Sequence, residues 1–481
     1  MNRSTMKLKE LRVSRTLADL DARGRRILLY TCCLSVFIVS MDGYAVSVAL
    51  PDIGESLGAD VSQLQWVISA YALSTAGFLI LAGSVADRVG RRRVFQFGLS
   101  LFTLGSLLSS LAPTVEILIT ARVLQGLGGS MLNPVALSII SNTFTDAGAR
   151  ARALGIWSSV IGISMALGPP IGGLLVDLVS WRAVFWLNIP IAVAAIILAA
   201  RFIPESRAAT HRRLDPPGQV LMILFLAGLN IGLIQGGALG WTHPFVLGAF
   251  LVAATAIMSF IWWENRATEP LLAPAFFRSR TFSVAVISAV LAFISTTGIL
   301  FSITLFLQNT RGLTPMQAGL MLLPLAVMVA VSSPVSGRLV AAYGPAPSLM
   351  IAGSVMATGG LLLTFLGQDT PLWYLGLAFG VYGIGFGIVN TPITNAAVSG
   401  LPRDQSGTAA AVTSTARQGG NSLGAAIFGS ILVSRIGETA GADRFDPTAA
   451  YTPLWWIVTA IGVVILLCGW SVRKFRVDTR G

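Results

Sequence analysis

Apolar runs of about twenty residues, separated by short polar or charged connections, recur along the whole chain. Each is long enough to cross ~30 Å of hydrocarbon as a helix rising 1.5 Å per residue. Fourteen such runs begin near Ile27, Leu64, Val94, Val115, Arg150, Ala183, Gly218, Pro244, Phe282, Met316, Ser348, Leu372, Gln405 and Pro453. The seventh and eighth are joined only by the turn from Ala238 to His243. The pattern predicts an all-α polytopic membrane protein with 14 transmembrane helices.

Charge placement orients these runs. Of the 33 lysines and arginines, only Arg122 and Arg417 fall inside them. Basic segments are retained in the cytoplasm. With both termini cytoplasmic, only Arg182, Arg311, Arg435 and Arg444 lie outside. An odd number of spans would scramble this asymmetry. Composition agrees, since 54% hydrophobic and 11% charged residues exclude an ordinary soluble domain. The net charge of +12 then reflects topology and anionic headgroups. No aromatic-basic module points to nucleic acid.

Several chemistries are excluded by what the chain lacks. The first 26 residues carry eight basic groups and no apolar core of a signal peptide, so they read as a tail entering an uncleaved span. Cys32, Cys33 and Cys468 all sit in apolar runs, where packing is expected and a disulfide framework or metal site is not. His211 and His243 lie in connections, poorly placed for an intramembrane proton relay. Lysine occurs only at positions 7, 9 and 474, so no glycine loop with a phosphate-binding lysine exists in the body. No His-Glu-x-x-His element is present. The sequence predicts a secondary carrier that is not an enzyme, needs no cofactor and draws on an ion gradient. A non-transporting scaffold or sensor is the alternative from another class.

Asp42 is the only acid in the middle of an apolar run. A charge at membrane depth costs at least ~2.5 kcal/mol on insertion scales, which suits a group that gains and loses a proton. Arg122 enters from the outer side in the fourth run. At 1.5 Å per residue the two lie about 12 and about 10 Å from the outer ends of their spans. A structural ion pair and a proton-coupling or substrate-binding pair are both open readings. Gln125, Asn133, Tyr44, Arg417 and Asn390 are candidates for lining a cavity, with helix–helix hydrogen bonding and packing as the alternative.

A faint internal repeat divides the chain. Gly83-Ser84-Val85-Ala86-Asp87-Arg88-Val89-Gly90 has a counterpart in Gly337-Arg338-Leu339-Val340-Ala341-Ala342-Tyr343-Gly344, with the acid lost. Decayed duplication fits a carrier of two six-helix halves. The expected organisation is a tail (1–26), a six-helix bundle (27–203), a linker with two extra helices (204–281), a second six-helix bundle (282–473) and a tail (474–481).

Four motifs then carry a family resemblance. Gly83 to Arg93 (GSVADRVGRRR) is similar to the cytoplasmic loop signature of the major facilitator superfamily. Leu118 to Gly129 (LITARVLQGLGG) resembles its fourth-helix signature, and Gly168-Pro169-Pro170-Ile171-Gly172-Gly173 its antiporter-associated fifth-helix signature. Met41 to Pro51 resembles the first-helix signature of the fourteen-helix drug:proton antiporters. Leu313 to Gly319 and Arg417 to Gly420 are weaker matches.

The resemblance implies the major facilitator fold, arranged as 6+2+6 helices, working by alternating access. It implies a gating loop at Gly83, Asp87, Arg88, Gly90, Arg91 and Arg92, although a plain orientation signal also explains the arginines. It implies a dry helix contact at Gly168, Pro169, Gly172 and Gly173, for which generic close packing is the alternative. The function so implied is proton-coupled multidrug efflux, conferring antibiotic resistance, in the bacterial cytoplasmic (inner) membrane and powered by the proton motive force. Partners would be an amphiphilic small molecule, protons and lipid, with the chain working as a monomer, with or without a periplasmic adaptor. A narrow exporter of a metabolite or self-made antibiotic is the alternative. Because no second membrane-embedded acid appears in the carboxyl-terminal half, a monocation, zwitterion or neutral amphiphile suits the chain better than a dication.

Overall fold

The computed structural model describes residues 20–207, 215–272, 274–399, 406–439 and 448–473. Residues 1–19 of the first expected tail, all of the second (474–481), Gln405, Arg444, His211 and linker residues 208–214 lie outside them. Fourteen long helices form among the described residues. The first six are α1 (Ala22–Leu57), α2 (Val61–Val89), α3 (Arg91–Ser110), α4 (Val115–Thr143), α5 (Ala147–Leu178) and α6 (Arg182–Phe202). A hairpin follows, α7 (Pro216–Leu239) and α8 (Pro244–Glu264). The last six are α9 (Arg280–Leu305, continued by a wide turn at Phe306–Thr310), α10 (Pro315–Tyr343, interrupted at Leu322), α11 (Pro345–Leu363), α12 (Leu372–Ser399), α13 (Ser406–Thr439) and α14 (Thr452–Arg473). Twelve of these are long and apolar enough to cross a bilayer, and α3 and α13 fall short of that apolarity.

Helix ends differ from the apolar boundaries in two informative places. The apolar run of α1 stops at Leu50, yet the helix continues through Pro51 and Asp52 to Leu57. Proline inside a helix removes one backbone bond, and here the chain absorbs it. Gly58, at φ +63°, is what ends α1. The expected loop from Gly83 to Arg93 is also not a loop. Helix α2 runs to Val89 and α3 starts at Arg91, so Gly90 alone turns the chain, at φ +125°. Gly344, at φ +82°, joins α10 to α11 in the same way. Left-handed backbone of this kind favours glycine, which explains why the second glycine of each repeat survives while the acid between does not.

Small residues set the packing. Gly172 meets Ala45 and Gly168 meets Tyr44, so α1 and α5 run in parallel. Gly420 and Gly424 meet Val290 and Ile294, and α9 and α13 do likewise. Gly126 lies on Tyr71 and Ser74, placing α4 beside α2, as Gly383 and Gly387 on Leu325 and Val329 place α12 beside α10. Each pairing in α1–α6 thus has a counterpart in α9–α14.

Arg23, Arg25, Arg26, Arg88 and Arg91 to Arg93 mark one end of the bundle as a basic face. Contacts between α1–α6 and α9–α14 gather toward the opposite face. Gly173 packs on the Pro315 backbone and Gly319 on the Pro169 carbonyl. Gln308 donates to the Val48 carbonyl at 2.9 Å, and the Met316 N–H to Asp177 at 3.1 Å. Gln65 donates to the carbonyls of Ala425 (3.2 Å) and Ala426 (2.9 Å). The two sets are therefore pinched together away from the basic face. The α7–α8 hairpin packs against α2 and α13.

Candidate functional site

Arg122 and Gln125 are three residues apart, so they share one face of α4. Gly126, on the next position, permits the close approach to the Tyr71 carbonyl that brings this face against α2. Asp42 on α1 meets that face in the middle of the first helix set.

Asp42 and Arg122 form a salt bridge, each 1% exposed. Arg122 Nη1 donates to Asp42 Oδ2 and, at 2.8 Å, to Gln125 Oε1. Its Nε donates to the Val67 carbonyl at 3.1 Å. The guanidinium carbon lies 4.3 Å from the Tyr71 ring centre and 5.8 Å from that of Phe185. The second carboxylate oxygen, Oδ1, accepts from Gln125 Nε2 at 2.9 Å and from Asn188 Nδ2 at 2.8 Å. Ser106 Oγ on α3 accepts from Gln125 at 2.9 Å and from Asn188 at 3.5 Å. Five helices, α1, α2, α3, α4 and α6, thus contribute to one hydrogen-bonded cage around Asp42 and Arg122.

This cage satisfies the rule that a buried charge needs a partner and filled hydrogen bonds. It also gives Arg122 somewhere to go. Besides Asp42, the guanidinium is held by Gln125, the Val67 carbonyl and the Tyr71 face.

Sequence reasoning singled out Asp42, Arg122 and Gln125 but missed Asn188 and Ser106. Asn188 had a readable signal, an amide inside the apolar run of α6, where polar side chains are costly. Ser106 had none, because serine is common in such runs.

Other candidates lie elsewhere. Tyr44 packs at the α1–α5 contact over Gly168. The Asn133 side-chain oxygen is buried and lacks a hydrogen-bond partner among the described residues. Arg417 and Asn390 form a separate cluster on α13 and α12. Arg417 Nη2 donates to Thr394 Oγ1 at 2.7 Å and to the Asn390 carbonyl at 3.4 Å, with Phe293 5.8 Å from the guanidinium. The Asn390 amide is turned back to its own helix, on the Phe386 carbonyl at 3.0 Å.

The expected gating residues form a compact corner of the basic face. Asp87 accepts from Arg91 at 2.9 and 3.2 Å. Glu205, which the sequence reading overlooked, accepts from the Arg92 N–H at 3.1 Å and pairs with Arg93 at 3.6 Å. A Cβ at Gly90 would fall on the Glu205 carboxylate, whereas Gly83 faces open space. In the fifth helix, Gly168 and Gly172 face α1 while Pro169 and Gly173 face α10, so the motif is a seam between the two helix sets.

A bundle of apolar helices in two similarly paired sets, with a caged ion pair inside one of them, is the frame of a multi-pass membrane transporter. The family model described as Major Facilitator Superfamily matches residues 32–425, and the chain belongs to that superfamily. It is 36% identical over 417 residues to "Multidrug resistance protein Stp" of Mycobacterium tuberculosis (strain ATCC 25618 / H37Rv), covering 87% of this chain and 78% of the relative. It is 34% identical over 464 residues to "Methylenomycin A resistance protein" of Streptomyces coelicolor, covering 95% and 94%. Among solved structures, a D-xylose-proton symporter shares the fold at a TM-score of 0.66 and 16% identity, over 92% of this chain and 97% of that one.

Proposed function

We propose that the chain is a proton-coupled exporter of amphiphilic drugs or antibiotics, working by alternating access in the bacterial cytoplasmic membrane. The observation that carries this reading is the caged Asp42–Arg122 pair, a buried carboxylate with a partner whose other contacts do not depend on its charge. The names of the relatives support drug export as the task. We read the helices as 6+2+6, with α1–α6 and α9–α14 as the rocking halves, the hairpin as an insertion and the basic face as cytoplasmic. Residues 27–203, 204–281 and 282–473 are the corresponding units, and the chain acts as a monomer.

In this scheme the cavity opens outward and Asp42 takes a proton, releasing Arg122 to its remaining contacts. After the halves rock, the proton leaves to the inside as substrate enters. Each charge crossing 100 mV contributes about 2.3 kcal/mol, enough for roughly a fiftyfold gradient at 1.4 kcal/mol per tenfold. The seam of α5 on α10 seals the outer side in the conformation described, which is therefore read as the inward-facing one.

A narrower exporter is favoured by one finding, the 36% identity over 411 residues to "Tetracenomycin C resistance and export protein" of Streptomyces glaucescens. A resistance panel of ethidium, puromycin, methylenomycin A and tetracenomycin C in a pump-deficient bacterial host tests the proposal. Raised tolerance to several members supports broad efflux, raised tolerance to one supports narrow export, and none with the protein present in the membrane contradicts both.

A further inference from the structure

Away from the ion pair, a second carboxylate site closes the base of the α7–α8 hairpin. Asp215 caps the amino terminus of α7, and Glu264 is the last residue of α8, only 2% exposed. Each carboxylate is satisfied through one oxygen only. Asp215 Oδ1 accepts from the Gly218 N–H at 3.0 Å and from Trp263 Nε1 at 2.8 Å. Glu264 Oε2 accepts from the Leu272 N–H at 3.0 Å. The remaining oxygens, Asp215 Oδ2 and Glu264 Oε1, are buried without a donor among the described residues. Both converge on the same point above the Gly218 Cα, where any larger residue would collide with them.

Two acceptor oxygens that face each other, out of water and without a donor, need something positive between them. A metal ion fits poorly, since even Mg²⁺ or Ca²⁺ takes six or more ligands and no third acidic, histidine or cysteine ligand joins the pair among the described residues. A proton requires only the two oxygens, and like carboxylates in one site share one readily. No salt bridge to a described residue competes for either group. Charged groups on the surrounding elements are engaged or distant in sequence. Helix α2 brings none before Asp87, α7 none, and α8 only Glu264. Arg266 lies 4.1 Å from the Trp262 ring centre, Arg417 of α13 is held by α12, and Arg212 and Arg213 lie outside the described residues.

We propose that Asp215 and Glu264 form a second proton-binding site, a dyad sharing one proton that fastens the hairpin to the transporter. The link to the transporter is Gln219, next to Gly218, whose amide donates to the Gly77 carbonyl of α2. Farther along α7, Asn230 accepts from Ser422 of α13 at 2.8 Å, and Ser422 in turn touches Ser69 of α2. The hairpin therefore spans the line where the two helix sets meet. Loss of the proton puts two like charges in a buried site and loosens this seat, so the site is intact at acidic pH and opens as pH rises.

The test uses the full chain purified with Asp42→Asn, which removes from the spectrum the other fully buried carboxylate among the described residues. Infrared difference spectroscopy between mildly acidic and alkaline pH is expected to show a protonated-carboxyl band that disappears in Asp42→Asn/Glu264→Gln and in Asp42→Asn/Asp215→Asn. The thermal unfolding midpoint of the otherwise wild-type protein is expected to fall toward alkaline pH, and that fall to be reduced in Glu264→Gln, whose amide still donates to Asp215. An unchanged carboxyl band in both double variants overturns the proposal. So does a midpoint raised by sodium or potassium chloride only when both acids are present, which would mean a metal cation.

Discussion

At Asp42 the competing costs are easily compared. Breaking a buried ion pair by removing one partner typically costs about 3–5 kcal/mol, because the survivor is left charged and unmatched. Asp42→Ala and Arg122→Ala are each expected to lose stability of that order, and the double variant to lose less than the sum. Denaturant unfolding of the four proteins in detergent, read as a double-mutant cycle, checks this. Additive losses would show that the two side chains do not depend on each other. The pair was legible in the sequence because a lone acid and a lone arginine stand out against apolar neighbours and sit at matching depth. Its cage was only half legible. Gln125 travels with Arg122 on one helical turn, but Asn188 and Ser106 come from helices whose approach no local pattern announces. Glu264 escaped notice for a different reason. It ends an apolar run, where a charge normally meets water, and only the fold buries it.

At the scale of the helix, glycine placement decides where the two sets can touch. A Cβ at Gly173 would overlap the Pro315 and Met316 backbone, which cannot move aside as a side chain tip could. Overpacking of this kind costs about 1–3 kcal/mol. Gly173→Val is therefore expected to disfavour the pinched conformation by roughly fivefold or more. Its measure is a cysteine at Ala425, fully buried beneath Gln65, in a background lacking Cys32, Cys33 and Cys468. A membrane-impermeant maleimide applied from outside should label it faster in Gly173→Val. Equal labelling would mean that the α5–α10 seam does not control closure. The helices themselves were legible from apolar length, whereas their ends were not. Capping groups such as Gly58 and the single-residue joint at Gly90 set those ends, so α1 outruns its apolar stretch and a predicted loop collapses to one residue.

For the whole molecule, the duplication faintly visible at Gly83–Gly90 and Gly337–Gly344 reappears as two sets of equivalent helix pairings, pinched together away from the basic face. The asymmetry between the sets is chemical. The caged acid lies in the first set only, while the second holds Arg417 with neutral partners. Asp42, the one carboxylate proposed to couple protons, is open to a direct test. Purified protein in sealed vesicles with an imposed pH gradient and an entrapped pH dye is given each compound of the resistance panel in turn. The account predicts that an exported compound collapses the gradient through the wild-type protein, and that Asp42→Asn, still folded and still binding that compound, leaves the gradient intact. Transport without proton movement, or full proton exchange by Asp42→Asn, would contradict it.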